Sequence, residues 1–234
     1  MRTATNRTRS TDQTLEAPAS SERSPLAWAA WLLPLHGLLL LWGTWERQPT
    51  PSTHFEEWTE FVTTDVFLWN HLVASILGQA LAILGTAGLT IHLLARGARR
   101  NRAVTGFVLH AIGSGLLLAG FGVAAFAQPA IGDLYGSHPA LAEELYDAVY
   151  SPSAIVVLLT GALLFGLSTI WTGLAVKGVG MVPTWAAVLY VLAGPTFAIV
   201  GFLFGAVQTV GALALVVSGA VVARAVTRGT AARP

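Results

Sequence analysis

The stretch 69–94, WNHLVASILGQALAILGTAGLTIHLL, decides the fold because it is both long and uncharged. It lies within a longer run, 66–95, that contains no Asp, Glu, Lys or Arg. A helix needs roughly 17–25 apolar residues to cross about 30 Å of hydrocarbon. A helix of this length in a soluble protein would carry a polar face. The run therefore predicts a membrane-spanning helix.

Five more runs of the chain have the same character: 26–45, 103–127, 153–176, 183–203 and 205–223. The whole chain is 54% hydrophobic and 11% charged, whereas roughly a quarter of the residues in soluble proteins are charged. The sequence therefore predicts an all-α integral membrane protein with six transmembrane helices. Residues 1–24 are predicted to be a disordered cytoplasmic tail, 25–224 the six-helix membrane domain, and 225–234 a short cytoplasmic tail.

The basic residues predict the orientation of these helices. Of the 13 Lys and Arg residues, only Arg47 falls on the opposite side of the predicted membrane from the others. Cytoplasmic segments carry the excess of Lys and Arg, so both termini are predicted to be cytoplasmic and the loops 46–65 and 128–152 external. The chain is thus predicted to be a multi-pass protein of the cell membrane. Lys177 is its only lysine, a bias that we interpret as prokaryotic.

Each external loop contains a short amphipathic segment. Apolar residues follow helical spacing in HFEEWTEFV (54–62) and in LAEELYDAV (141–149), with the carboxylates on the other face. Such segments are predicted to form short interfacial helices on the bilayer. Their similarity also suggests a duplicated unit, an interfacial helix plus a helical hairpin, at 55–127 and 142–204.

Small and polar residues mark one face of two neighbouring spans. On the second span they are His71, Ser75, Gly78, Ala82, Gly85 and His92, within about 60° on a helical wheel. On the third span they are Gly106, His110, Gly113, Ser114 and Gly120. Because the loop 96–102 is short, these faces are predicted to pack against each other as the seam of a hairpin. Gln79, near the midplane, is predicted to form a hydrogen bond across this seam at the depth of Ser114.

The four histidines within the spans permit a second interpretation. Counting along the runs places His36 and His71 in the outer leaflet and His92 and His110 in the inner leaflet. Two histidines at matched depth are what axial ligation of a b-type haem requires. The alternative is that these side chains only pack, or reach for interfacial water. The prediction is that no cofactor is bound, with haem b held by these four residues as the alternative.

The sequence excludes several function classes. It has no cysteine, no charged residue within a span to carry protons or ions, and no phosphate-binding or nucleic-acid-binding motif. The external His54 and His138 lie near carboxylates, but their spacing matches no metal-ligand pattern. We therefore predict a non-enzymatic protein, either an accessory or scaffold subunit or a module that binds a small solute or lipid. Its predicted partners are the lipid bilayer and other membrane subunits or a second copy, and not nucleic acid.

Two alternative functions remain open at this point. One is a b-type cytochrome-like electron-transfer subunit that uses the histidines. The other is a facilitator that conducts an uncharged solute along the small-residue faces.

Overall fold

The chain folds as a bundle of apolar helices. The computed structural model describes residues 25–45 and 48–231, and within them every regular element is helical. Four helices are long and apolar enough to cross a membrane: Asp65–Ala95, Arg100–Tyr135, Pro152–Val179 and Gly205–Arg228. Two further apolar helical segments, Ala27–Gly43 and Thr184–Val200, are shorter. The all-helical prediction is confirmed and four spans of membrane length are found, while the predicted tail 1–24 lies outside the described residues.

The elements follow one another with short connections. In chain order they are α1 (Pro25–Ala29), α2 (Leu32–Gly43), α3 (Phe55–Val62), α4 (Asp65–Trp69), the π-helical segment π1 (Asn70–Leu77), α5 (Gly78–Ala95), α6 (Arg100–Tyr135), α7 (Pro139–Val149), α8 (Pro152–Val179), α9 (Thr184–Gly194), the π-helical segment π2 (Pro195–Val200), α10 (Gly201–Leu203) and α11 (Gly205–Ala231). α4, π1 and α5 form one continuous helix. α11 continues beyond the predicted membrane boundary at 224.

Two prolines explain two of the interruptions in the regular α-helices. Pro34 has no N–H to donate to the carbonyl of Ala30, and that carbonyl instead accepts from the Leu33 N–H at 3.2 Å. This change of pattern separates α1 from α2. Pro195 is the first residue of π2, where a wider turn relieves the clash of the ring with the preceding turn. π1 contains no proline, and the sequence pattern does not predict it.

The bundle surface is suited to lipid. Large apolar side chains along the spans are exposed. In Leu84, Ile112, Val156 and Leu192 about half or more of the residue surface is exposed. Soluble monomers rarely expose apolar patches of this extent. Together with the lengths of the four long helices, this exposure places the protein in a membrane.

The glycine faces have different partners from those that the sequence predicts. Gly78 and Gly85 on α5 lie against α2, where a Cβ on Gly85 would come within 3.2 Å of Leu32 and Leu33 side-chain atoms. Gly106, Gly113 and Gly120 of α6 lie against α8 instead, and a Cβ on Gly113 would be 2.6 Å from the Phe165 backbone nitrogen. For the glycines, the prediction that these two faces form one seam is therefore wrong. α5 and α6 do contact each other, but these glycines approach other helices.

The end of the bundle that carries α3 and α7 is closed by an aromatic cluster, and we call it the cap end. Trp58 of α3 is fully buried against α7 and the end of α6. Its ring centroid lies 5.0 Å from that of Tyr146. α6 has 36 residues, about 54 Å at 1.5 Å per residue, so it projects beyond the hydrocarbon to support this cap. Both predicted loop helices are therefore present. α3 buries its apolar face against α6, while Leu141 and Leu145 of α7 stay exposed.

Charge is separated completely between the two ends of the described chain. The end opposite the cap, which we call the arginine end, holds every described basic residue: Arg96, Arg99, Arg100, Arg102, Lys177, Arg224 and Arg228. The cap end holds every described acidic residue: Glu56, Glu57, Glu60, Asp65, Asp133, Glu143, Glu144 and Asp147.

Candidate functional site

A cavity of about 220 Å³, which we call the inner chamber, lies in the cap-side half of the bundle. Its walls are mainly apolar, and the residues are Leu40, Gly43, Thr44, Ala74, Ser75, Leu117, Phe121, Leu158, Ala162, Phe197, Ala198 and Gln208. They come from α2, π1, α6, α8, π2 and α11, so all six apolar helical segments contribute. An engineered apolar cavity of roughly 150 Å³ binds benzene, so the inner chamber has room for a small ring.

A second cavity of about 390 Å³, the vestibule, continues from the inner chamber toward the cap end. The two cavities share Gly43, Thr44, Ser75 and Gln208. The vestibule is more polar, since Gln48, Asn70 and His71 also line it. Gln48 and Gly205 are exposed, so the vestibule reaches the surface of the cap end. No charged side chain lines either cavity.

Both π-helical segments form part of these walls. π1 contributes Ala74 and Ser75, and π2 contributes Phe197 and Ala198. π-helical turns are rare and are frequently found at functional sites, because they turn side chains out of the register of the α-helix. At the cap end, the extended residue Phe204 (φ −135°, ψ 94°) also breaks the chain between α10 and α11. These three departures from regular α-helix, π1, π2 and the break at Phe204, thus lie next to the cavities.

Below the inner chamber, His36 and His110 lie beside the same phenyl ring. The Phe165 ring centroid is 6.0 Å from that of His36 and 5.4 Å from that of His110. The two histidines therefore share one ring neighbour, although the sequence predicts them in opposite leaflets. The reason is that His36 is in the middle of its apolar run, which centres on the midplane. Both side chains are almost completely buried.

The hydrogen bonds of Ser168 define the state of the His110 ring. The Ser168 hydroxyl donates to the Phe165 carbonyl at 2.6 Å, so at 3.2 Å it accepts from His110 Nδ1–H. In a neutral imidazole with Nδ1 protonated, Nε2 carries a lone pair. His110 Nε2 is buried and has no partner in hydrogen-bond geometry, although the backbone of Ala82 lies near its ring. His36 has no partner for either nitrogen, although the backbone of Gly78 lies near its ring.

The hydrogen bond predicted from Gln79 across the seam is not formed. Both ends of the Gln79 amide and the Ser114 hydroxyl are buried without a hydrogen-bond partner. Leaving such a group unpaired costs about 1–3 kcal/mol. These groups thus lower stability in a part of the bundle that could have been built from apolar side chains alone.

The other two histidines lie elsewhere. His71 lines the vestibule, where its ring packs 4.1 Å from that of Phe67 and its Nδ1 lies 3.0 Å from the Phe67 carbonyl oxygen. His92 is half-buried in the last turn of α5, at the arginine end. Of the four histidines, His36 and His110 share the Phe165 ring as a neighbour. Haem ligation by these histidines stays a prediction, which the visible spectrum of purified protein tests.

A chain of side-chain hydrogen bonds fastens the segment after α2 across the cap end. Gln48 Nε2 donates to Gln128 Oε1 at 2.9 Å, and Gln128 Nε2 donates to the Tyr150 hydroxyl. Burial raises the pKa of Tyr150 above its usual value, so the phenol keeps its proton at neutral pH. Since Gln48 lines the vestibule, these bonds fix one of its walls.

The external histidines have neighbours of another kind. His54 Nδ1 lies 2.7 Å from the Thr53 hydroxyl, and His138 Nδ1 lies 2.8 Å from the Ser137 hydroxyl. Within residues 25–45 and 48–231, no three His, Cys, Asp or Glu side chains are grouped as they would be around a metal ion.

Sequence reasoning identified the polar residues of α5 and α6 but missed the cavity walls from α2, π2 and α11. Pro195 after Gly194 was one available signal for irregular backbone, and Gln208 near the start of an apolar run was another. No protein-family model, curated protein or solved structure matches the chain. The geometry of the cavities is therefore the feature from which a function can be inferred.

Proposed function

We propose that this chain is a six-span protein of a prokaryotic cell membrane that binds a small uncharged solute from the exterior and catalyses no reaction. Its partners are the bilayer and that solute. The observation that carries the proposal is the inner chamber with its vestibule, on which all six apolar helical segments and both π-helical segments converge. Cavities of roughly 300–1,000 Å³ with a mainly apolar lining and a few polar groups are typical ligand sites.

The orientation follows from charge. The arginine end is cytoplasmic because cytoplasmic segments carry the excess of Lys and Arg, and every described basic residue lies there. Both termini are then cytoplasmic, and the cap end with the vestibule faces outward. The shorter segments Ala27–Gly43 and Thr184–Val200 complete the six spans. At 17 residues each they reach about 25 Å, close to the hydrocarbon thickness.

The lining defines the chemistry of the solute. A charged ligand would find no opposite charge in either cavity, and burying an unpaired charge is costly. The inner chamber offers Phe121 and Phe197 to an apolar body, and the vestibule offers Asn70, Gln48 and Gln208 to a polar outer group. The solute is therefore a neutral amphipathic molecule with a body about the size of one ring.

The experiment measures 2-phenylethanol binding to protein in lipid nanodiscs, by equilibrium dialysis against empty nanodiscs. We expect saturable binding by the native chain and its loss in Ala162→Phe, because the new ring fills the inner chamber. Gly115→Phe is the matched control, since Gly115 of α6 faces open space and the same ring there leaves the chamber unchanged. Binding that never exceeds that of empty nanodiscs, or equal binding by Ala162→Phe in folded protein, would refute the proposal.

A further inference from the structure

The unpartnered polar groups lie one helical turn beyond residues that line the inner chamber. His36 is four residues from the chamber residue Leu40 on α2, and Gln79 is four residues from the chamber residue Ser75. Three or four residues correspond to one helical turn, about 5 Å along the axis. On two helices, therefore, the first turn beyond the chamber presents a buried polar side chain with no hydrogen-bond partner.

The third helix, α6, repeats this arrangement. Ser114 is three residues from the chamber residue Leu117, and its hydroxyl is buried and unpartnered. Its neighbour Gly113 contacts the backbone of Phe165, whose ring lies beside His36. These contacts place His36, Gln79 and Ser114 at one level of the bundle, and we call the three side chains the polar floor.

The polar floor can both donate and accept hydrogen bonds. The Gln79 amide offers a carbonyl oxygen and an NH₂ group, the Ser114 hydroxyl offers both functions, and a neutral His36 ring offers one nitrogen of each kind. One turn deeper, the His110 Nε2 lone pair is also unpartnered. Groups of this kind are normally satisfied in native proteins, so a polar partner from outside the chain would complete them.

We propose that the polar floor binds the inner end of the solute, so that the site selects a ring that carries a hydroxyl or carbonyl group at that end and a second polar group at the vestibule end. This inference rests on the proposed function, because it assumes that the inner chamber is the binding site. The order of side chains along the bundle is the reason: a polar vestibule, an apolar chamber lined by Phe121 and Phe197, and, one helical turn beyond the chamber lining, the polar floor. A solute with only one polar end leaves the floor unpaired.

Two probes test the inference because they differ by one hydroxyl group. 4-(2-Hydroxyethyl)phenol has a phenolic hydroxyl opposite its alcohol, and 2-phenylethanol lacks it; both are neutral at pH 7. We expect the native chain in nanodiscs to bind the phenol about three- to tenfold more tightly, as expected for one hydrogen bond to a buried polar group. Gln79→Leu should lose most of this preference, measured as the ratio of the two affinities. Ser114→Ala is the second variant and should reduce the preference in part.

The outcomes distinguish this inference from the proposed function. If both probes bind the native chain equally, the polar floor does not contact the solute and the inference is overturned, while the chamber remains a binding site. A preference that survives unchanged in both folded variants would overturn it as well. If neither probe binds, the proposed function itself fails. Thermal unfolding of each variant confirms that it is folded before binding is measured.

Discussion

At the scale of single residues, the most informative side chains are the polar ones that the fold leaves without partners. The sequence identified Gln79, Ser114, His36 and His110 as buried polar residues of the spans, and the structure buries all four. It could not identify their neighbours, because hydropathy and helical periodicity define which face of a helix is small or polar but not which helix that face meets. The hydrogen bond expected from Gln79 to α6 failed for this reason.

The first prediction concerns the close contact between α6 and α8. Gly113→Leu should lower the stability of the bundle by about 2 kcal/mol or more, because a Cβ at this position already lies 2.6 Å from the Phe165 backbone nitrogen. Gly115→Leu, two residues along the same helix, should change stability by less than about 0.5 kcal/mol, since it faces open space. Thermal unfolding in detergent measures both variants, and equal melting temperatures would contradict this packing.

A second prediction concerns Gln79. Gln79→Leu should raise the melting temperature, because a buried amide with no partner is replaced by an apolar side chain of similar size. A gain in stability together with a loss of solute selectivity would be the trade-off that is common at functional sites. A fall in the melting temperature would indicate that the amide has stabilising partners, and it would count against an open polar floor.

At the scale of elements, the helices themselves were predictable and their irregularities were only partly so. Apolar run length predicts where a span begins and ends. The short helices α3 and α7 follow from apolar residues at helical spacing with acidic residues on the other face. Pro195 gives a covalent reason for π2. π1 has no such residue, so its wider turn is a result of tertiary packing that no local pattern records.

The third prediction concerns the hydrogen bonds at the cap end. Gln128→Leu removes both the bond to Gln48 and the bond to Tyr150, whereas Tyr150→Phe removes only the second. Amide hydrogen exchange in the segment 48–54 should therefore accelerate roughly two- to tenfold in Gln128→Leu and less in Tyr150→Phe. Equal exchange in the native chain and Gln128→Leu would mean that these bonds do not hold the segment.

At the scale of the whole molecule, composition and charge were the most informative features of the sequence for predicting the architecture. An all-helical protein with spans of membrane length follows from runs without charge, and the separation of basic from acidic residues is complete in the part of the chain that the structure describes. The cavity could not be predicted in the same way. Its walls combine residues that are far apart in sequence, from Leu40 to Gln208, and no local pattern marks them as neighbours.

The fourth prediction tests orientation. Reporter fusions within the loop 96–99 and after Arg228 should report a cytoplasmic location, and a fusion at residue 135 should report the exterior, because the described basic residues all lie at one end. A cytoplasmic signal at 135 would reverse the molecule, and the vestibule would then face the cell interior.

Access to the cavity from the outside is tested most directly by cysteine labelling, which is clean because the native chain contains no cysteine. Ser75→Cys lies where the vestibule meets the inner chamber, Gly115→Cys faces open space on α6, and Lys177→Cys lies at the arginine end. In right-side-out vesicles, a small membrane-impermeant maleimide should label Ser75→Cys, and 2-phenylethanol should slow the reaction. Gly115→Cys should stay unlabelled, and Lys177→Cys should react only after the vesicles are opened. Labelling of Ser75→Cys only in opened vesicles, or at a rate that 2-phenylethanol does not change, would contradict a solute site that opens to the exterior.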